Sequence, residues 1–448
     1  MNNNKTNNTR TIILEGIDGV GKTTVAKHIK TIDPTITVLD RSDLTKLTLE
    51  NPHKLPSKLE HPTSSYYYLE CSLDTAENRI KQRGLPTDKW EQYSFQFYFQ
   101  KIFRMLAAKY GVNFVSTETN TPEEVAHMIV QDKCLRFPNM DNMNDKTFNS
   151  YKFIAEGHSK IVRRVYDKWD VIKLKPSVHS HKEQRSLNID DTDKYRAEAM
   201  LPLLYLFAQN QIDHLYNYVS SCEDGVFILT QAFDYVPPVE VIIKSHYVGT
   251  DKHIYHELYN EKTRFDKPLM ANEDVYQIQN TDNTVVSKVI YEYNKPYVRF
   301  DYRNPNHVEC TEDVTRCASC VTSFKKGTQM PLGDKVMASG LADNFIDTAK
   351  CEKSALKLYD IMNKFLGRKG LYLLDICYLY CADGETLYGE ISQDTGRWKD
   401  KNGNSKDKDV FRYGRSADKV NVKDQYKELA DILNDIMFGD GKSYRIDL

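Results

Sequence analysis

A glycine-rich segment near the amino terminus, EGIDGVGKTT (Glu15–Thr24), constrains the fold more than any other part of the sequence. It follows the apolar run TIIL and precedes a stretch with helical periodicity. Its spacing Gly-x-x-x-x-Gly-Lys-Thr, placed between a strand and a helix, is typical of a phosphate-binding loop. The alternative is a strand-to-helix turn without a ligand. The coincidence of four fixed residues with the correct flanks favours the phosphate loop.

Each residue type in this segment has a chemical reason to be there. Glycines let consecutive backbone N–H groups point inward at phosphate oxygens, and the following helix adds its positive end. The Lys22 ammonium would lie on the β- and γ-phosphates of ATP, and the Thr23 hydroxyl would ligate Mg²⁺. The predicted ATP-binding residues are Gly16, Gly19, Gly21, Lys22, Thr23 and Thr24.

Composition is compatible with a large soluble enzyme. The 448 residues favour two or three domains, and the net charge of −2 gives no overall field that would attract nucleic acid. No run approaches the ~18 apolar residues of a membrane span, and residues 1–10 lack the apolar core of a signal peptide. We therefore expect a disordered tail over 1–10, a cytoplasmic protein and no membrane or nucleic-acid partner. Nine cysteines without a secretion signal favour reduced thiols.

The pattern along the chain predicts two structured units. Apolar runs at Thr35–Leu44, Ser64–Leu73 and Gly111–Glu118 alternate with helical periodicity, which predicts an α/β domain with a parallel sheet over 11–134. Residues 135–152 are rich in Asn and Asp and predict a linker. Residues 153–448 mix strands and helices, with one helix expected at Tyr195–Tyr218, and form the second unit.

The first unit resembles thymidylate kinases. The resemblance rests on the loop with its internal Asp18, on Asp40-Arg41 at a strand end, and on the segment YYYLECSLDTAENRIKQRG with Arg79 and Arg83. It implies a P-loop kinase domain, shortened after the first helix, that transfers a phosphoryl group from ATP to a nucleoside monophosphate. The catalytic residues that the resemblance implies are Lys22, Asp18, Arg41, Arg79 and Arg83.

Two of these assignments have structural alternatives. Arginines four residues apart, such as Arg79 and Arg83, also occur on solvated helix faces without any catalytic role. Asp40 and Arg41 could form a salt bridge at the strand end. We favour function for that pair because ligands collect at the carboxyl ends of parallel strands.

The second unit resembles phosphoribosylaminoimidazole-succinocarboxamide (SAICAR) synthetase, a ligase that joins aspartate to a carboxylate with ATP. Three segments occur in the family's order: EGHSKIVRRVYD (156–167), VPPVEVIIKSHYVGT (236–250) and the region 370–412 with EISQDTGRW. The resemblance implies an α+β, ATP-grasp-like domain that uses ATP and Mg²⁺. The metal ligands and catalytic carboxylates that it implies are Asp375 and Glu390. The residues implied for ATP and substrate anions are Lys160, Glu240, Lys244, His246, Arg397 and Lys408.

This sequence departs from the ligase pattern at three positions. Cys377 and Leu379 stand where the family has Lys and Glu, and Gly389 stands where an acidic residue is expected before Glu390. One interpretation is a ligase acting on a different carboxylate and amine. The other is a domain that has lost its chemistry and serves in binding or scaffolding. Arg397, close to Asp394, could likewise belong to a salt-bridged turn.

A polar segment contains Cys310, Cys317 and Cys320, with His307 nearby and Cys351 further along. These residues could provide a tetrahedral zinc site, and the alternative is a set of free thiols in a loop. A single Cys-x-x-Cys is a weak signal, so free thiols are favoured. Cys377 and Cys381 alternate with apolar residues and are interpreted as small core residues.

The sequence as a whole predicts a bifunctional ATP-dependent enzyme of nucleotide metabolism. A nucleoside monophosphate kinase joined to an amide-forming ligase suggests that the product is a modified nucleotide. The expected partners are nucleotides and small carboxylate and amine substrates, and a homo-oligomer is compatible with the sequence. The alternative from another class is an ATP-binding regulatory or scaffold protein with a degenerate ligase domain.

Overall fold

The computed structural model describes residues 10–50, 58–84, 87–180, 185–248, 270–279, 285–302, 335–409, 411 and 419–439. The α-helices in these ranges are α1 Lys22–Ile32, α2 Asp43–Glu50, α3 Leu73–Gln82, α4 Tyr93–Tyr110, α5 Pro122–Val130, α6 Asp145–Ser150, α7 Thr192–Gln209, α8 Ser339–Ala342, α9 Thr348–Gly367 and α10 Lys419–Phe438. The strands are β1 Thr11–Glu15, β2 Thr37–Asp40, β3 Tyr66–Glu70, β4 Asn113–Ser116, β5 Leu135–Arg136, β6 Lys152–Glu156, β7 Lys160–Val165, β8 Trp169–Leu174, β9 Ser177–Ser180, β10 Arg185–Asn188, β11 Tyr216–Cys222, β12 Gly225–Gln231, β13 Val239–His246, β14 Met270–Gln279, β15 Val285–Tyr302, β16 Lys335–Met337, β17 Leu371–Tyr378 and β18 Gly396–Asp400.

The first sheet has the strand order β2-β1-β3-β4-β5. Strands β1 to β4 pair in parallel, as the alternation of strands and helices predicts, and β5 pairs antiparallel with β4. Tyr66, Tyr67 and Tyr68 of β3 are all buried, because helices cover both faces of a parallel sheet. The loop at Gly16 and the segment after Asp40 lie side by side, at the carboxyl ends of two adjacent strands.

Residues 135–152, for which the sequence predicts a linker, are folded into the body of the protein. This segment forms β5 and α6, and it buries Phe137, which follows β5, and Phe148, which lies in α6; the two side chains are 4% and 1% exposed. The Phe137 ring lies 4.7 Å from that of Trp169 and 5.7 Å from that of Phe114, so it connects the two units. The sequence does not reveal these two buried phenylalanines, because the apolar residues of the segment are separated by Asn, Asp and other polar residues. The domain limits at 134 and 153 stay predictions.

We expect Phe137→Ala to lower the free energy of unfolding of the whole chain by about 3–5 kcal/mol, because it leaves a cavity between aromatic rings of both units. Chemical denaturation followed by circular dichroism measures this change. Phe153→Ala removes a side chain that is 44% exposed and serves as the matched control, with little expected effect. Equal effects of the two substitutions would contradict a shared core.

The second half of the chain is built on antiparallel pairing. One sheet has the order β11-β12-β8-β7-β6, and another has the order β14-β15-β13-β17-β18 with β16 paired to β15. Helix α7 ends at Gln209 and β11 begins at Tyr216, so the single helix predicted for Tyr195–Tyr218 is wrong over its last third. Gln211 adopts a left-handed conformation, with φ of 55°, which the helix cannot continue through. Within the described ranges, no helix combines the length and apolar character needed to cross a membrane.

Candidate functional site

The loop between β1 and α1 has the close packing that its glycines permit. Gly16 and Gly19 have φ of 139° and 79°, which L side chains rarely adopt. A Cβ on Gly16 would lie 2.5 Å from the Leu69 carbonyl oxygen, and one on Gly19 would lie 2.5 Å from that of Ala76. Gly21, with φ of 97°, faces open space at the start of the helix. The loop is therefore held against β3 and α3 while its helix end stays accessible.

Lys22 bends back across this loop. Its side chain is nearly buried, and its Nζ donates hydrogen bonds to the carbonyl oxygens of Gly16 (2.8 Å) and Ile17 (2.9 Å). Burial lowers the pKa of Lys22 to about 8, and the nearby Arg41 charge adds to that shift. The ammonium group is thus held in the loop by two neutral acceptors, which a phosphate could replace.

The structure brings four predicted residues together beside Lys22. Thr23 Oγ1 donates a 2.9 Å hydrogen bond to Asp40 Oδ2, which joins the helix start to the end of β2. Arg41 pairs with Asp18 rather than with Asp40, and its side chain is half exposed. Thr24 is exposed in the first turn of α1.

Arg41 has φ of 72°, a left-handed conformation that is costly for a residue other than glycine. Its position at a strand end, next to the glycine-rich loop, agrees with the functional interpretation of the Asp40-Arg41 pair. The ion pair with Asp18 means that the salt-bridge interpretation also describes part of the geometry.

Glu15 holds the segment beside this site in place, and the sequence did not identify it as a site residue. It is fully buried at the end of β1 and accepts hydrogen bonds from the Ser42 N–H (2.9 Å), the Ser42 hydroxyl (2.8 Å) and the Thr45 hydroxyl (2.5 Å). Burial raises its pKa despite these bonds. Glu15 fixes the segment that follows Arg41. A charged residue that directly ends an apolar strand was the available signal.

Arg79 and Arg83 lie on α3 and at its end, with different partners. The Arg79 guanidinium donates to the Thr117 carbonyl oxygen at 2.7 Å, at the carboxyl end of β4. Arg83 donates to Glu91 at 2.8 Å in an exposed ion pair. The environment of Arg83 is that of a solvated helix face, whereas Arg79 is at the sheet edge that carries the loop.

In the second half of the chain, sheet register assembles a chain of charges around Asp375. Strand β13 pairs Lys244 with Asp375, and β18 pairs Arg397 with Asp375. Lys244 Nζ donates to Asp375 Oδ2 at 2.8 Å, and Arg397 forms ion pairs with both Asp375 and Asp409. Burial lowers the pKa of Lys244, and the Asp375 charge opposes that shift. Three predicted residues, Lys244, Asp375 and Arg397, therefore meet in one network.

Glu390 lies in a second network with a partner that the sequence did not reveal. Arg196 of α7 has a fully buried side chain and donates to Glu390 from Nε (2.7 Å) and Nη2 (3.3 Å). Ser392 Oγ donates to the same carboxylate at 2.6 Å. Burial alone would raise the pKa of Glu390, but Arg196, Ser392 and Lys160 outweigh it and lower that pKa. Arg196 lies in the polar first part of α7, before the apolar stretch Met200–Ala208, so the local sequence did not mark it as buried.

The remaining residues predicted to bind ATP or substrate anions in this unit differ in burial and in their neighbours. Glu240 is half-buried on β13 opposite Asp301, and Lys160 begins β7. His246 is buried, with its Nδ1 2.7 Å from the Ser245 hydroxyl oxygen. Lys408 is half-buried between two buried carboxylates, one of which, Asp407, has its pKa raised to about 7 by burial and by its acidic neighbour.

Two of the three departures from the ligase pattern, Leu379 and Gly389, have a packing explanation. A Cβ on Gly389 would lie 2.8 Å from Leu379 Cγ and 2.9 Å from its Cβ, so no side chain fits at position 389 unless Leu379 moves. The chain thus has an apolar residue against a glycine where two acidic residues are expected. The substitutions at 379 and 389 depend on each other.

The predicted metal ligands differ in whether their surroundings could hold Mg²⁺. Thr23 is a predicted ligand, and Asp40, which was not predicted as a ligand, places a carboxylate oxygen next to its hydroxyl beside the predicted phosphate loop; this pair of oxygens suits Mg²⁺. Asp375 and Glu390 already neutralise buried cations, so they do not fit a metal in this arrangement. Within the part of the chain that the structure describes, no group of three or more His, Cys, Asp or Glu side chains could hold a metal ion. Cys310, Cys317 and Cys320, the residues considered for zinc, lie outside the described residues.

Comparison with known proteins connects the second unit to one family. The SAICAR synthetase family model matches residues 325–429. Phosphoribosylaminoimidazole-succinocarboxamide synthase of Pyrococcus horikoshii is 35% identical over 103 residues, 22% of this chain and 42% of that protein. The corresponding synthase of Methanosarcina acetivorans is 36% identical over 111 residues, 24% of this chain and 45% of that protein.

Further similarity extends over most of the chain. "Bifunctional cordycepin biosynthesis cluster protein 3" of Cordyceps militaris is 23% identical over an alignment covering 96% of this chain, which spans 60% of that protein. A solved structure described as SAICAR synthetase (Type-2) in complex with ADP has a TM-score of 0.42 and 20% identity, covering 64% of this chain and 97% of its own. SAICAR-synthase from Saccharomyces cerevisiae has a TM-score of 0.42 and 12% identity, covering 67% and 98%. The family match places the similarity to SAICAR synthetases at residues 325–429, in the carboxyl-terminal part of this chain.

Proposed function

We propose that the amino-terminal unit binds ATP with Mg²⁺ and transfers its terminal phosphoryl group to a nucleoside monophosphate. The observation that carries this proposal is the position of Lys22, held by two loop carbonyls directly beside the Thr23–Asp40 hydrogen bond. The phosphate chain of ATP would replace the two loop carbonyls as the hydrogen-bond partner of the Lys22 ammonium group. Thr23 and Asp40 would hold the Mg²⁺ ion. Mg²⁺ would neutralise charge on the phosphates.

The chain's own residues then position the reacting groups. The glycine loop directs backbone N–H groups and the α1 amino-terminal end at the phosphates. Arg41, half exposed at the adjacent strand end, would meet the acceptor phosphate once it leaves Asp18. Glu15 keeps that strand end in place through Ser42 and Thr45. Phosphoryl transfer depends mainly on such positioned cations, which is why no covalent catalyst is needed.

ATP affinity should fall as pH rises through the Lys22 pKa of about 8, because the loop binds phosphate best when Lys22 is protonated. Between pH 7 and pH 9 the protonated fraction falls about tenfold, and we expect the dissociation constant of ATP to rise by a similar factor. Isothermal titration calorimetry across this range measures it.

Lys22→Arg is the matched control for this pH dependence, because a guanidinium stays charged throughout the range while ATP ionises identically in both titrations. A Kd of ATP that changes equally in the wild-type protein and in Lys22→Arg would contradict the assignment of the effect to Lys22.

We propose further that the second unit is an ATP-dependent carboxylate–amine ligase. A substrate carboxylate oxygen attacks the γ-phosphorus, ADP leaves, and an acyl phosphate forms. The amine nitrogen then attacks the acyl carbon, loses a proton, and expels inorganic phosphate to leave an amide. The SAICAR synthetase-like sequence at 325–429 supports this chemistry. Arg397, which is 18% exposed, is the cation of the Lys244–Asp375–Arg397 network that would meet an anionic substrate, and Lys244 is buried behind Asp375.

Two activities in one chain are also suggested by the name of the Cordyceps militaris relative, which describes a bifunctional protein. A nucleotide phosphorylated by one unit and elaborated through an amide by the other would be a modified nucleotide. The identity of its base is left open by this proposal.

A regulatory or scaffold protein is the second candidate function, and one observation favours it. Leu379 packs against Gly389 where the ligase pattern places acidic residues, and both remaining carboxylates neutralise buried cations. This candidate predicts ATP binding without turnover.

Mass spectrometry of the purified full chain, incubated with ATP, Mg²⁺, nucleoside monophosphates and amino acids, separates the candidates. Formation of a nucleoside diphosphate supports the kinase, and an amide product with ADP and phosphate supports the ligase. Unchanged ATP in every mixture would favour the regulatory candidate.

A further inference from the structure

A polar cavity lies between the two halves of the chain, and none of the residues that line it is assigned above to ATP. Its volume is about 270 Å³, below the roughly 300–1,000 Å³ of pockets that hold drug-sized ligands, so it suits a small molecule. Strand β3 and helix α4 form one wall, and the β7–β8 turn and strands β11 and β12 form the other. Its polar lining consists of Glu70, Arg104, Asp167, Lys168, Asn217, Gln231 and Asp234.

Asn217 is the residue that the fold around this cavity does not explain. It is 1% exposed, and neither its amide nitrogen nor its amide oxygen has a hydrogen-bond partner among the described residues. The register of β11 against β12 shifts between Tyr216 and Tyr218, so Asn217 is the extra residue of a β-bulge. Bulges commonly redirect one side chain and occur near binding sites. A buried amide without partners costs folding free energy, which a ligand can recover.

Two opposite charges of the cavity are also unmatched. Three of its charged side chains are paired: Arg104 pairs with Glu70, and Asp234 pairs with Arg164, which does not line the cavity. Lys168 and Asp167 form no ion pair within the described ranges. The Lys168 ammonium lies 4.4 Å from the centre of the Phe114 ring, a contact that leaves its hydrogen bonds unused.

The turn that carries these charges is conformationally costly. Tyr166 and Asp167 both have left-handed φ angles, 54° and 52°, at positions of a hairpin turn where Asn and Gly are usual. The strain places an anion and a cation next to each other at the cavity without letting them pair.

We propose that this cavity binds a small zwitterionic α-amino acid. Its carboxylate would accept hydrogen bonds from Lys168 and from the Asn217 amide nitrogen. Its ammonium group would donate to Asp167 and to the Asn217 amide oxygen. A dianion such as phosphate matches less well, because the carboxylates in the lining outnumber the cations. This site is independent of the proposed kinase and ligase reactions, since no residue assigned to those reactions lines it.

Calorimetric titration of the full chain without ATP tests the proposal, with L-serine and L-asparagine as probes. Acetate, ethanolamine and inorganic phosphate serve as comparison ligands that lack one or the other charge. We expect saturable binding of an amino acid, at least tenfold tighter than of any comparison ligand. The absence of binding by both amino acids, or tighter binding of phosphate, would overturn the proposal.

Variants locate the binding. Lys168→Met should weaken it at least tenfold, whereas Lys152→Met, at an exposed lysine of β6 outside the cavity, should leave it unchanged. Asn217→Leu should abolish binding and raise the Tm of the ligand-free chain, because it removes an unpartnered buried amide. A lowered Tm with unchanged binding would show that Asn217 is structural. If Lys168→Met bound the amino acid with unchanged affinity, the proposed site would be wrong, even if Asn217→Leu failed to fold.

Discussion

Lys22→Ala is expected to reduce phosphoryl transfer by the amino-terminal unit at least ~10²-fold while leaving the fold intact. Within the described loop, Lys22 is the side chain with a positive charge, and positioned donors of this kind each contribute several kcal/mol to the transition state. Its two hydrogen bonds are to the neutral carbonyl groups of Gly16 and Ile17, so its loss breaks no ion pair. A coupled assay for ADP in the presence of nucleoside monophosphates measures the change.

The matched control for this variant is Lys27→Ala, which removes an exposed lysine from the same helix one and a half turns later. Its turnover should equal that of the unmodified protein. Full activity in Lys22→Ala would remove the kinase from the proposed function. Equal losses in both variants would show that α1 had been damaged, and circular dichroism distinguishes that case.

Glu390→Gln is expected to lower the free energy of unfolding by about 3 kcal/mol or more and to abolish ligase turnover. The substitution leaves the Arg196 guanidinium buried without its counter-charge, which is among the most destabilising changes a core can undergo. The exposed Glu385 provides the control, since Glu385→Gln removes the same charge from the same segment without a buried partner.

The ion pair of Glu390 also predicts how the free energy of unfolding changes with pH. The pKa of Glu390 is lowered in the folded protein, so its ion pair stabilises the fold above the ordinary value of 4.5 and is lost as pH falls below it. Denaturation curves at pH 7 and pH 4 should therefore differ less in Glu390→Gln than in the unmodified protein. An unchanged difference would contradict the lowered pKa.

A double variant separates stability from chemistry. Glu390→Gln combined with Arg196→Met removes both charges and should recover most of the lost stability, because an apolar replacement of a buried pair is often neutral. If ligase activity returned together with stability, Glu390 would have only a structural role.

The first sheet shows how much local sequence can determine. The strands TIILE and YYYLE are mostly apolar up to a final glutamate, so they predict burial on both faces and parallel pairing without knowledge of the rest of the chain. Gly16, Gly21, Lys22 and Thr23 are close in sequence, and their chemistry depends on one turn between a strand and a helix. The phosphate-loop interpretation could therefore be made from a dozen residues.

Longer-range contacts decided what the sequence could not. The partner of Glu390 lies 194 residues away at Arg196, and the ion pairs of Asp375 follow from strand register, which no local pattern encodes. The segment at 135–152 is polar on average, yet its singly spaced aromatic residues fill space between two units. Position 389 has space only for glycine because Leu379 packs against it from across a turn. By itself the sequence determined the strands and helices of the first sheet and the chemistry carried within single turns, because those depend on neighbouring residues. Only the tertiary structure decided which charges are buried together, because burial and pairing depend on how distant segments pack.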